Sequence, residues 1–128
     1  MNNAKLNQIS SIILDAAIAV HREMGPGLLE SVYQHCLIKE LRSRGLMINT
    51  MVPVPLFYKG ELLNKDYIID VLVEDEIILE LKSVDVILPV HEAQLISYLK
   101  LADKRLGFLI NFNVPLMKQG FKRFVNNF

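Results

Sequence analysis

The feature that most constrains how this chain can fold is a change in the period of its apolar residues at Gly45. From Leu6 to Met24, Ile9, Ile12, Ile13, Ala16, Ala17 and Val20 recur at the three- and four-residue spacings of an amphipathic helix, and Gly25-Pro26-Gly27 stops it. A second helical pattern runs from about Leu28 to Arg44, with Val32, Cys36, Leu37 and Leu41 toward the core and Gly45 placed as a C-terminal cap. Beyond Gly45 the period becomes that of a strand: Ile48, Thr50, Val52, Val54 and Leu56 alternate with other residues, and Pro53 and Pro55 suit a sheet edge. Lys59-Gly60-Glu61 reads as a turn. Lys65 to Val73 and Glu76 to Ser83 are two further extended runs joined by the tight connection Glu74-Asp75, which predicts three antiparallel strands. After Pro89, helical spacing returns through Ala93, Leu95, Ile96, Leu99 and Leu101, and LGFLINF follows as a short buried strand. The tail, where Phe121, Arg123 and Val125 alternate but Phe121, Phe124 and Val125 also fit a helix, is read as a further strand. The order is helix, helix, three strands, helix, strand, an α+β arrangement.

With 128 residues and 52% hydrophobic content, the chain is sized for one core, so residues 1–128 are read as one domain. Fourteen basic residues balance fourteen acidic ones, which excludes a general positive field; any grip on nucleic acid must be local. The lone cysteine, Cys36, forms no internal disulfide and reads as core filler in a reducing compartment. Asp15 interrupts the N-terminal apolar run, no export signal is evident, and no stretch approaches the roughly 20 apolar residues of a membrane helix. A soluble, cytoplasmic protein with no membrane partner is expected. His21, His35 and His91 show no zinc spacing, and His91, at the start of the third helix, reads as a helix-start residue.

Chemistry is indicated by charges placed inside apolar strands. Glu80 and Lys82, two apart in EIILELKS, share one face of a strand whose other residues are Ile and Leu. Asp70 interrupts YIIDVLV in the same way, and a hairpin centred on Asp75 sets it opposite Glu80, with Cβ atoms about 5 Å apart if the two are directly paired. Buried charges cost several kcal/mol unless they are paired or hold a metal. Two carboxylates and an amine suit phosphodiester hydrolysis: hard oxygen donors hold Mg²⁺ or Mn²⁺, and the lysine orients or deprotonates water or stabilises charge on the phosphate. An Asp/Glu/Lys cluster that merely ties two strands is the other reading of the same residues. Glu30 with Tyr33, and Gln94 with Tyr98, share helical faces that can border such a site.

Gly27-Leu28-Leu29-Glu30-Ser31-Val32-Tyr33 matches the pattern that names the GxxExxY proteins, and the chain resembles that family of the PD-(D/E)XK nuclease superfamily over nearly its whole length. The likeness takes in Asp70, Glu80-Leu81-Lys82 as the E-x-K signature, and Gln94-x-x-x-Tyr98, which is similar to the Q-x-x-x-Y motif of the RecB-like branch. The resemblance implies a restriction-endonuclease-like core, a central mixed β-sheet flanked by helices. It further implies Mg²⁺ or Mn²⁺ held by Asp70, Glu80 and the backbone carbonyl of Leu81, with Glu30 as a helical acid. Lys82 would be the catalytic lysine, and Gln94 and Tyr98 would position the scissile phosphate or its water network. Ile69 stands where the family usually has proline, which removes no ligand. The expected activity is hydrolysis of DNA, or of RNA, with a homodimer as one way to enlarge the few basic clusters around Lys100 and Lys118. A catalytically silent nuclease-like module that binds nucleic acid or protein is the alternative.

Overall fold

The computed structural model describes residues 1–128. Helix α1, Asn3–Met24, starts behind Asn2, whose side chain accepts the Lys5 N–H at 2.8 Å, and ends at Gly25, whose φ of 71° permits its N–H to close on the His21 carbonyl. Helix α2 spans Glu30–Ser43, two residues shorter at its start than the apolar pattern suggested. The reason is Tyr33: its hydroxyl takes the Leu28 N–H at 3.1 Å and donates to the Gly25 carbonyl, which holds residues 25–29 as a loop. Tyr33 is fully buried and stacked on Phe112 with ring centroids 4.5 Å apart, so it is core. Val32 and Cys36 are only half-buried; the face of α2 that reaches the core is Tyr33, Leu37 and Leu41.

Strands β1 (Ile48–Tyr58), β2 (Glu61–Val73) and β3 (Ile77–Lys82) form an antiparallel meander. Its second turn places Glu74 (φ 53°) and Asp75 (φ 55°) in the left-handed region, with the Glu76 N–H on the Val73 carbonyl at 2.9 Å. That positive-φ pair matches the strand twist. Helix α3 (Pro89–Leu101) then crosses to β4 (Leu106–Asn111), which pairs parallel with β3. A 3-10 turn, Met117–Gly120, leads into β5 (Phe121–Val125), antiparallel to β4, so the ambiguous tail is a strand. The five-stranded mixed sheet has the order β1-β2-β3-β4-β5, with proline-bearing β1 at an edge and β3 at the centre.

Two cores of unequal size cover the sheet. On one face α1 and α2 close over Val71, Val73, Ile77, Leu79, Leu81, Phe108 and Ile110 in a cluster of 20 buried residues. On the other, Leu95 and Leu99 of α3 pack on Ile69, Leu72, Ile78 and Leu109 in a cluster of seven. Ala93, Ile96 and Leu101, which share the helical spacing of Leu95 and Leu99, are exposed, because α3 meets the sheet along a single i, i+4 stripe. Gly107 permits that approach: a Cβ there would lie 3.1 Å from Leu95 and 3.2 Å from the Ile78 carbonyl. No helix is long and apolar enough to cross a membrane.

Strand β2 carries two irregularities. Ile69 packs on the α3 side together with Leu72, whereas Val71 and Val73 pack on the α1/α2 side, so the alternation breaks at Asp70. Across from it Met51 has a φ of 53° and is skipped by the ladder, which pairs Thr50 with Val71 and Val52 with Ile69. Further out, the register shifts between Pro55 and Phe57, with a bulge in β2 opposite Leu56. Strand β3 bonds β2 only at residues 71–73, so the outer β1–β2 hairpin stands as an arm beyond the end of β3.

Candidate active site

Strand β3 is apolar on both faces because a helix layer covers each, and its register with β4 pairs Glu80 with Leu109. Glu80 is therefore 9% exposed. Its carboxylate has one hydrogen-bond donor, the Tyr67 hydroxyl, 3.0 Å from Oε1, and no salt bridge. Burial pushes its pKa up from 4.5 to about 7; the Asp70 charge adds to the rise, Glu30 adds less, and the Tyr67 hydrogen bond and the Lys82 charge oppose it. A buried acid surrounded by other acids and one unpaired amine is a site with an unmet demand for positive charge.

The hairpin is centred on Asp75, with Val73 opposite Ile77 and Val71 opposite Leu79; Asp70 and Glu80 come next, just past the last ladder pair. Asp70 is half-buried at the point where β2 breaks its alternation. Lys82, half-buried and on the Glu80 side of β3, forms no ion pair. Its own carbonyl accepts the Phe112 N–H at 2.9 Å on the β4 side, so strand alternation turns the Leu81 carbonyl toward β2.

Glu30 reaches the same end of β3 from the opposite layer. Ser83, just past β3, donates its hydroxyl to the Leu28 carbonyl and so fastens the loop before α2 against the strand end. Behind it, Asn111 bonds the Val84 N–H at 3.1 Å and the Val84 carbonyl at 2.9 Å, which fixes the exit of the chain toward α3. From α3, Tyr98 stacks face to face on Tyr67, with centroids 3.4 Å apart. Burial, then the Glu80 charge, holds both phenols above their ordinary range, so both stay neutral donors. Gln94, a turn before Tyr98, is exposed and bonds no protein group. The fold thus gathers Glu30, Asp70, Lys82 and Tyr98 within electrostatic reach of Glu80 and leaves Gln94 exposed.

Tyr67 was not singled out in the sequence. Its signal was faint: a tyrosine three residues before an acid in an otherwise apolar strand, meaningful only once the register sets it near Glu80. The largest cavity, about 650 Å³ between the end of α1 and the 3-10 turn, contains none of these residues. Charge distribution, rather than concavity, marks the site.

No three His, Cys, Asp or Glu side chains are close enough together to hold an ion by themselves. The donor set, two carboxylates with a backbone carbonyl beside them, nevertheless fits a hard divalent cation that keeps part of its water shell, as Mg²⁺ does.

A five-stranded mixed sheet flanked by helices on both faces, with Glu80 and Lys82 at the end of its central strand and Asp70 on the neighbouring one, has the architecture of a restriction-endonuclease-like protein. The family model described as the PD-(D/E)XK nuclease superfamily matches residues 7–124, and the chain belongs to that superfamily. No curated protein and no solved structure gives a significant match.

Proposed function

We propose that this protein is a Mg²⁺- or Mn²⁺-dependent nuclease, acting as one domain over residues 1–128, that hydrolyses phosphodiester bonds in DNA or RNA within the cytoplasm, and that it belongs to the GxxExxY group and the RecB-like branch of its superfamily. One observation carries this reading. Glu80 is buried within electrostatic reach of Asp70 and has no salt-bridge partner, while Lys82, next along the same face, keeps a free amine. A purely structural cluster would pair these charges with each other, since an uncompensated buried carboxylate is costly.

Asp70, Glu80 and the Leu81 carbonyl are the groups that would hold the metal, with Glu30 as an accessory acid. When bound there, a divalent ion would supply Lewis acidity for phosphodiester hydrolysis. Lys82 brings a positive charge to the negative charge that grows on the phosphate, or takes up a water hydrogen bond at the same place. Tyr98, kept neutral by burial and the Glu80 charge and held by its stack on Tyr67, donates from its hydroxyl toward the phosphate, and Gln94 offers an exposed amide. Tyr67 orients the Glu80 carboxylate through its hydrogen bond.

The test is a calorimetric titration of Mn²⁺ into the wild type and into an Asp70→Ala/Glu80→Ala variant, with a short non-cleavable oligonucleotide present. Binding by the wild type alone is expected. Lys82→Ala should bind metal, stay folded and lose cleavage by at least two orders of magnitude. Failure of both proteins to bind at millimolar metal would leave a nuclease-like binding module as the better reading.

A further inference from the structure

The tip of the β1–β2 arm, beyond Val54 and Tyr67, belongs to neither core and exposes Phe57 (60%), Tyr58 (63%) and Leu62 (64%). Aromatic side chains left in water at the end of a hairpin gain nothing for the fold. They are placed with respect to the candidate site. Val54 packs on the α3 side and lies opposite Tyr67, so the two-residue period of β1 carries Leu56 and then Tyr58 along the face that leads to Tyr67, Tyr98 and Glu80. From Met51, level with Asp70, to Tyr58 is seven residues, roughly 23 Å at 3.3 Å per residue. Lys59, in the turn, sets its ammonium 5.5 Å from the Tyr58 ring centroid, and Lys65 is exposed in the bulge opposite Leu56.

We propose that this arm is a guide for single-stranded nucleic acid: an unpaired base stacks on Tyr58, the neighbouring phosphates meet Lys59 and Lys65, and the strand runs down the arm to Asp70 and Glu80. The inference rests on the nuclease reading and narrows it to unpaired substrate. Charge argues for single strands over duplex. Glu61 and Asp66 offset the two lysines of the arm, and the whole chain is neutral, so phosphate attraction alone cannot grip a duplex. Stacking on an aromatic face needs an accessible base and little net charge, and only a single strand offers it.

The experiment is fluorescence anisotropy of the full chain with labelled oligothymidylate and with a labelled duplex of equal length, in Ca²⁺ to prevent turnover. The single strand should bind more tightly than the duplex. Tyr58→Ala should weaken single-strand binding about tenfold with an unchanged melting curve, and Tyr58→Trp should restore it. Lys59→Ala/Lys65→Ala should flatten the slope of log K against log salt by about 1.4, at 0.7 per phosphate contact. Unchanged binding in Tyr58→Ala, or a preference for duplex, overturns the guide while cleavage by the wild type leaves the nuclease reading intact. Wild-type protein that binds neither oligonucleotide overturns both, and capture of Tyr58 in a protein–protein contact, seen as dimers that Tyr58→Ala disperses, would assign the tip to a partner instead.

Discussion

Glu80 combines near-complete burial with one neutral donor, and its pH behaviour follows. Its folded pKa of about 7 lies above the ordinary 4.5, so the native state holds a proton that the unfolded chain has released between those values. Its contribution to stability is complete below pH 4.5 and is lost as the pH climbs through about 7. In metal-free protein the loss should amount to roughly 3 kcal/mol by linkage, read from urea midpoints across that range. Glu80→Gln should flatten that profile and at pH 8 match or exceed the wild type. Tyr67→Phe removes the hydrogen bond that favours the charged form, so it should move the midpoint of the profile to higher pH. Saturating Mg²⁺ should raise the melting temperature of the wild type at pH 8 and leave Asp70→Ala/Glu80→Ala unmoved, because a ligand stabilises only the state that binds it.

The elements differ in how much each depends on distant partners. Leu95 sits at the contact between α3 and the sheet, so Leu95→Ala should cost 2–5 kcal/mol, while Ile96→Ala on the outer face should cost under about 0.5 kcal/mol; thermal or urea denaturation separates them. This pair also shows where sequence reading reaches its limit. Helices α1 and α2, the period change after Gly45 and the hairpin centred on Asp75 were legible, since caps, turns and alternation act within a few residues. The pairing of Asp70 with the Glu80 region followed from that hairpin alone. In α3 every third or fourth residue is apolar on more than one side, so no local signal chose the Leu95–Leu99 stripe over Ala93, Ile96 and Leu101. Choosing it required the sheet, and specifically the bare backbone at Gly107. The broken alternation at Asp70 was hidden for the same reason, as strict period two through YIIDVLV sets Ile69 and Val71 on one face, whereas the helix layers claim them separately. Tyr67 escaped notice because its role exists only across strands.

At the scale of the molecule, the two faces are unequally supported: 20 buried residues hold the α1/α2 side and seven hold the α3 side. Local opening should follow that imbalance. In native-state hydrogen exchange, amides of the arm and of α3 should exchange well before those of β3 and β4, with free energies below that of global unfolding. The candidate site lies on this seam. Glu80 and Lys82 come from the firmly held central strand, while Tyr98, Gln94 and the arm come from the more easily opened layer. Such a division sets rigid charged groups against more yielding walls.

The parallel pairing of β3 with β4 also sets a timetable. The β2–β3 contact joins neighbours across a short turn, but Glu80 meets Leu109 only after the chain has travelled out through α3 and back. Parallel pairs close late because a long loop must be ordered first. Desolvation of Glu80 is then expected to coincide with that closure. Alkaline conditions should then slow the refolding of the metal-free chain as well as lower its equilibrium stability, an asymmetry that stopped-flow refolding on either side of pH 7 would register as a rate.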